Sequence, residues 1–157
     1  MTQTLLCRRD RKYFYTTCFG AICLGLVCNF TPTTNLYSNL ITFISILTGF
    51  QITSFAMLFS SSMVKGLYKI KDNENPYITL KHRLKNYYKF AFNLALLSIV
   101  IIFILEIFKP NRITTPLTVI DLSWISRSAV FAIIASNIFA NYKTMNMLYK
   151  IFIQNND

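Results

Sequence analysis

Between Lys12 and Lys65 the chain reads YFYTTCFGAICLGLVCNFTPTTNLYSNLITFISILTGFQITSFAMLFSSSMV, and no Asp, Glu, Lys, Arg or His interrupts it. A soluble domain must face water every few residues, so a tract this long without charge has no soluble surface to form. One crossing of a bilayer's hydrocarbon core takes roughly 20 apolar residues, and this tract holds two such lengths. The turn-rich run Asn29-Phe30-Thr31-Pro32-Thr33-Thr34-Asn35 divides it, and Pro32 disfavours continued helix there. Two spans are expected, over about 13–30 and 37–64.

The pattern recurs downstream. No charge falls between Lys89 and Glu106, nor between Arg127 and Lys143. These tracts predict a third span over about 90–108 and a fourth over about 125–143. The stretch 113–124 reads either as an interfacial loop or as the start of the fourth helix. Of the 157 residues, 54% are hydrophobic and 14% charged, whereas soluble domains carry about 25% charged residues. The expected fold class is therefore all-α: a single integral membrane domain, a four-helix bundle.

The net charge of +10 sits at the ends of the apolar tracts. The leader holds Arg8, Arg9, Arg11 and Lys12 around Asp10. The segment 65–89 holds Lys65, Lys69, Lys71, Lys81, Arg83, Lys85 and Lys89 against Asp72 and Glu74. The first turn has no charge, and the connection after the third span has only Lys109 and Arg112 as bases. Lys and Arg concentrate in cytoplasmic loops, which places both termini inside. The bases then meet lipid headgroups, and no direct nucleic-acid contact is expected. From Thr79 onward Lys81, Lys85 and Lys89 fall on one helical stripe, and Leu80, Leu84 and Tyr87 or Tyr88 on another. With Arg83, these lysines form the expected surface for a cytoplasmic partner or for headgroups. The tail, 144–157, is expected to continue as an amphipathic helix with Met145, Leu148 and Phe152 on one side.

Ionisable groups inside a membrane are costly and mark function or structure. Glu106 and Arg127 lie near the outer ends of the third and fourth spans, where an inter-helix ion pair is expected. Gln51, Asn93, Asn137 and Asn141 are amides inside the spans. In lipid such groups must find partners, so hydrogen bonds between helices are expected. The competing reading puts Gln51 on the wall of an oligomeric pore. Small residues recur at spacings that let helix backbones approach closely: Thr17, Ala21 and Gly25 in the first span, and Ser128, Ala132, Ser136 and Ala140 in the fourth. Ser38, Thr42, Ser45, Gly49 and Thr53 share a face of the second, and Ala91, Ala95 and Ser98 a face of the third. So many small-residue faces exceed what one bundle consumes, which predicts a homo-oligomer.

Chemistry-bearing motifs are missing. Cys7, Cys18, Cys23 and Cys28 include no CxxC pair, and no phosphate loop or metal-ligand spacing occurs. His82 stands between Lys81 and Arg83 as a solvated residue. An enzyme is not expected, nor is a cofactor or a metal.

The Arg-rich leader, the polar and small second-span run Ile44-Ser45-Ile46-Leu47-Thr48-Gly49-Phe50-Gln51-Ile52-Thr53-Ser54-Phe55, the basic internal loop and the four-span plan together resemble small membrane subunits of bacterial anti-phage systems. The Kiwa membrane subunit is the first choice, and the phage lambda exclusion protein a related one. The resemblance covers the architecture of the whole chain and carries over no functional residue. It implies an oligomeric sensor in the bacterial inner membrane that recruits a cytoplasmic effector protein and responds to membrane disturbance. The alternative is a pore-forming membrane effector.

Overall fold

Two of the long helices start at a threonine cap. The Leu36 N–H donates to Thr33 Oγ1 at 3.3 Å, and the His82 N–H donates to Thr79 Oγ1 at 3.4 Å. Each bond satisfies an amide that the first helical turn leaves over. The computed structural model describes residues 8–28, 32–60, 79–108, 112–114, 119–121 and 123–154. They form α1 (Arg8–Val27), α2 (Thr34–Ser60), α3 (Leu80–Phe108), β1 (Arg112–Thr114), β2 (Val119–Asp121) and α4 (Ser123–Gln154). Residues 29–31 of the first turn, 61–78 with most of the expected basic loop, and 155–157 of the tail lie outside the described residues.

The architecture suggests a membrane protein. Three helical segments, Thr34–Ser60, Leu80–Ile107 and Ser123–Tyr149, are long and apolar enough to cross a membrane. With 27, 29 and 32 residues, α2, α3 and α4 run about 40, 44 and 48 Å at 1.5 Å per residue. Each exceeds the roughly 30 Å of a hydrocarbon core. α1 does not meet the same standard, because its first turns read Arg8-Arg9-Asp10-Arg11-Lys12.

The basic stripe read as helical from Thr79 runs straight into the third apolar tract, as one unbroken helix from Leu80. One boundary differs from the sequence reading. The ambiguous stretch before the fourth span is a β-hairpin, in which Arg112 pairs with Asp121, Ile113 with Ile120 and Thr114 with Val119. Ile113 and Ile120 are β-branched residues suited to short extended strands, and α4 starts just after them at Ser123.

α4 is the central element. It packs along α1 through the most extended seam, and against α3, which packs on α2. Two apolar clusters fill the interior. One, toward the hairpin, includes Tyr37, Ile44, Ile102 and Val130; the other, at the far end, includes Leu58, Leu84, Tyr88 and Leu148. That far end carries Asp10, Lys81–Lys89 and Lys143 and is termed the basic end. The expected tail face is corrected here. Leu148 is buried with Met147, whereas Met145 is exposed, because the inward register of α4 runs through Ala140, Thr144 and Met147/Leu148 at three- and four-residue steps. The side chain of Phe152 lies outside the described part.

Candidate functional site

At the basic end one carboxylate gathers three helices. Asp10 is 4% exposed. Its Oδ1 accepts a hydrogen bond from Lys143 Nζ at 2.7 Å, and its Oδ2 accepts one from the Tyr87 hydroxyl. Arg83 Nη2 stands 3.8 Å from Oδ2. Burial pushes the Asp10 carboxyl up, but the bonds from Lys143 and Tyr87 and the charges of Lys143 and Arg83 outweigh it. The net position is below the ordinary 3.8. Directly inward, the Phe14 ring packs between Phe90 and Phe139, at centroid distances of 5.3 and 5.7 Å. The aromatic contact thus repeats the α1–α3–α4 junction that Asp10 makes with charge.

The expected basic surface divides in two. Arg83 turns inward to Asp10, and Lys81 is half-buried with its ammonium 5.3 Å from the Phe59 ring centroid. Lys85 and Lys89 are exposed. Only these two of the four present free charge outward.

Midway along the bundle the amides form a relay. Gln51 Nε2 donates to Asn141 Oδ1 at 2.7 Å, Asn141 Nδ2 donates to the Asn137 carbonyl at 2.8 Å, and Asn137 Nδ2 donates to Ser98 Oγ at 2.8 Å. The relay joins α2, α4 and α3 and separates the two apolar clusters. Gln51 is 5% exposed and Asn137 2%. Gln51 therefore faces the interior of a single chain. Its Oε1 has no hydrogen-bond partner among the described residues, and neither has the Tyr88 hydroxyl. Asn93 is exposed on α3 and makes no inter-helix bond among the described residues, because the inward stripe of α3 passes through Ala91, Ala95 and Ser98.

The small-residue faces also separate. Ala21 and Gly25 of α1 are buried, as are Ser128, Ser136 and Ala140 of α4, with Ala132 half-buried. A Cβ placed on Gly25 would stand 2.5 Å from Ser128 Cα, so glycine is what lets the backbones meet. Gly49 is the opposite case: it is exposed, and a Cβ there meets nothing within 4 Å. Ser38, Thr42, Ser45 and Thr53 are exposed with it.

The expected Glu106–Arg127 pair does not form. Glu106 is half-buried on the flank of the α3 stripe through Ile102 and Leu105. Arg127 projects on the side of α4 that also carries Asn141, the side that reaches Gln51 of α2. It has an interaction of its own. Similar depth did not bring similar azimuth.

Asp10 is the residue that sequence reasoning undervalued. The signal was present, as the single acid in a basic leader that opens an apolar tract. Lys143, a lone base closing an uncharged tract, was its complement. Among the described residues no group of three or more His, Cys, Asp or Glu is placed to hold a metal ion. Cys18, Cys23 and Cys28 are free thiols. No family model matches the chain, and neither the curated proteins nor the solved structures compared with it include a match.

Proposed function

We propose that the chain is a multi-pass scaffold and sensor of the bacterial inner membrane, belonging to an anti-phage defence system. In this reading all four helices cross, both termini are cytoplasmic, and the basic end docks a cytoplasmic effector protein. The fourth crossing is supported by the pairing of α1 with α4. Asp10 meets Lys143 while Gly25 meets Ser128, so α1 lies antiparallel to α4. From Asp10 to Gly25 it covers about 22 Å of the same depth.

One observation carries the docking reading. Tyr142, Met145 and Tyr149 are 62%, 47% and 65% exposed and follow one another at three- and four-residue steps at the basic end of α4, around Lys143 where the uncharged tract closes. This is the anchor spacing with which a helix is held by a partner's groove. Gln51, the residue on which a pore lining depended, is engaged with Asn141 inside one chain, which favours the scaffold over the pore. The outward face of α2 around Gly49 is assigned to contact between copies, in keeping with close approach at small residues.

The test is co-purification from mild detergent with the proteins encoded beside it. A stoichiometric partner should accompany the native chain and be lost from the Tyr142→Ser/Met145→Ser/Tyr149→Ser variant. Phage plating on cells carrying the same locus should then lose protection in parallel. Recovery of the native chain alone sinks the scaffold reading.

A further inference from the structure

A groove of about 260 Å³ opens between α2 and α3 near the basic end. Ile52 and Phe55 of α2 face Tyr88 and Phe92 of α3 across it, and Lys85 and Lys89 border it. Its volume falls just below the roughly 300–1,000 Å³ of sites that enclose a whole small molecule. It therefore suits one segment of a larger molecule whose remainder lies elsewhere. Apart from the Gln51 amide, the walls within the lysine border are hydrocarbon and aromatic, which selects an alkyl chain.

The border supplies the second half of the specificity. Lys85 and Lys89 stand one helical turn apart, both exposed, at the point where charge ends and the tract FAFNLALLSIVIIFIL begins. Arg83 and Lys143 share the Asp10 carboxylate. Among the described residues neither Lys85 nor Lys89 has an ion-pair partner. Two exposed ammonium groups above an apolar cleft at a membrane interface match an anionic headgroup with its acyl chain. The Tyr88 hydroxyl, on a residue that lines the groove, has no hydrogen-bond partner among the described residues.

We infer that this groove is a site for an anionic phospholipid of the membrane leaflet at the basic end. Lys85 and Lys89 hold the phosphate, the Tyr88 hydroxyl donates to an ester carbonyl, and one acyl chain lies between Phe55 and Phe92. The site rests on the membrane reading of the chain but not on partner docking, whose stripe is on α4. Occupied, it fixes α2 against α3 and makes the scaffold responsive to the charge of the surrounding lipid.

The experiment is native mass spectrometry of the full chain in zwitterionic detergent, titrated separately with phosphatidylglycerol, phosphatidylcholine and inorganic phosphate. Selective retention of one phosphatidylglycerol is expected. Lys85→Gln/Lys89→Gln should weaken it about thirtyfold, at about fivefold per basic residue. Ile52→Trp fills the groove from an exposed position (53%) and should abolish retention while thermal stability in detergent is unchanged. Equal retention of phosphatidylcholine, displacement of the lipid by inorganic phosphate, or unchanged binding in both variants overturns the site. Recovery of the native chain without a docking partner, with lipid retention intact, would leave this inference standing alone.

Discussion

The α1–α4 seam and the α2–α3 seam are built on opposite plans. Along the first, small residues bring the backbones together at Gly25 and Ser128, and a buried carboxylate locks the end with Lys143. Along the second, the bulky rings of Phe55, Tyr88 and Phe92 hold the helices apart over a groove of about 260 Å³. In lipid no hydrophobic force drives helices together, so packing and polar bonds decide association. The closed seam has both. The open seam has one amide relay, reached through α4, and leaves room for something else. Rigidity and receptivity thus sit on different sides of α4.

Four substitutions separate the two plans. The largest effect is expected at the charge lock. Asp10→Asn leaves Lys143 and Arg83 facing a neutral group and should lower unfolding stability in detergent by about 3 kcal/mol. Adding Lys143→Met should recover much of it. The sign of the pH dependence follows from the lowered carboxyl. The folded state binds this proton less readily than the unfolded state, so the stabilisation is complete above 3.8 and is lost as pH falls through the lower folded value. The gap between native chain and variant should therefore hold at neutral pH and close only in strong acid.

Gly25→Ala comes next. Its Cβ meets backbone, not a flexible side-chain end, and overpacking of this kind costs about 1–3 kcal/mol. Gln51→Leu removes a bond between α2 and α4 and strands Asn141 Oδ1. A loss of about 1 kcal/mol is expected, with ion conductance of bilayers containing the chain unchanged. Smallest is Gly49→Leu, which meets open space. Unfolding stability should stay within about 0.5 kcal/mol, while the oligomeric mass measured in detergent falls.

The helices were legible because uncharged tracts and turn chemistry are local properties. Pro32 and the Thr33 cap stop one helix and start the next within a few residues, and the end of the third tract coincides with the end of α3. Azimuth was not legible. Glu106 and Arg127 share a depth, and only the rotation of two helices about their axes decides whether they meet. The same limit applied to Asn93 and Asn137, which look alike in sequence and differ by the stripe each occupies. Asp10 was visible as a charge, but its partners lie 77 and 133 residues away. No local pattern encodes that distance. The hairpin was hidden for another reason, since strands of three residues carry too little alternation to be read.

The span of 133 residues between Asp10 and Lys143 has a consequence for how the chain is made. α1 leaves the ribosome well before the surface it lies against, from Ser128 to Lys143. Contacts this distant close slowly, after the local ones. α1 is also the helix least able to enter lipid on its own, with a block of charges opening it. α1 is thus made before its partner surface and seated after it. Completion of this seam reports that α4 has been synthesised.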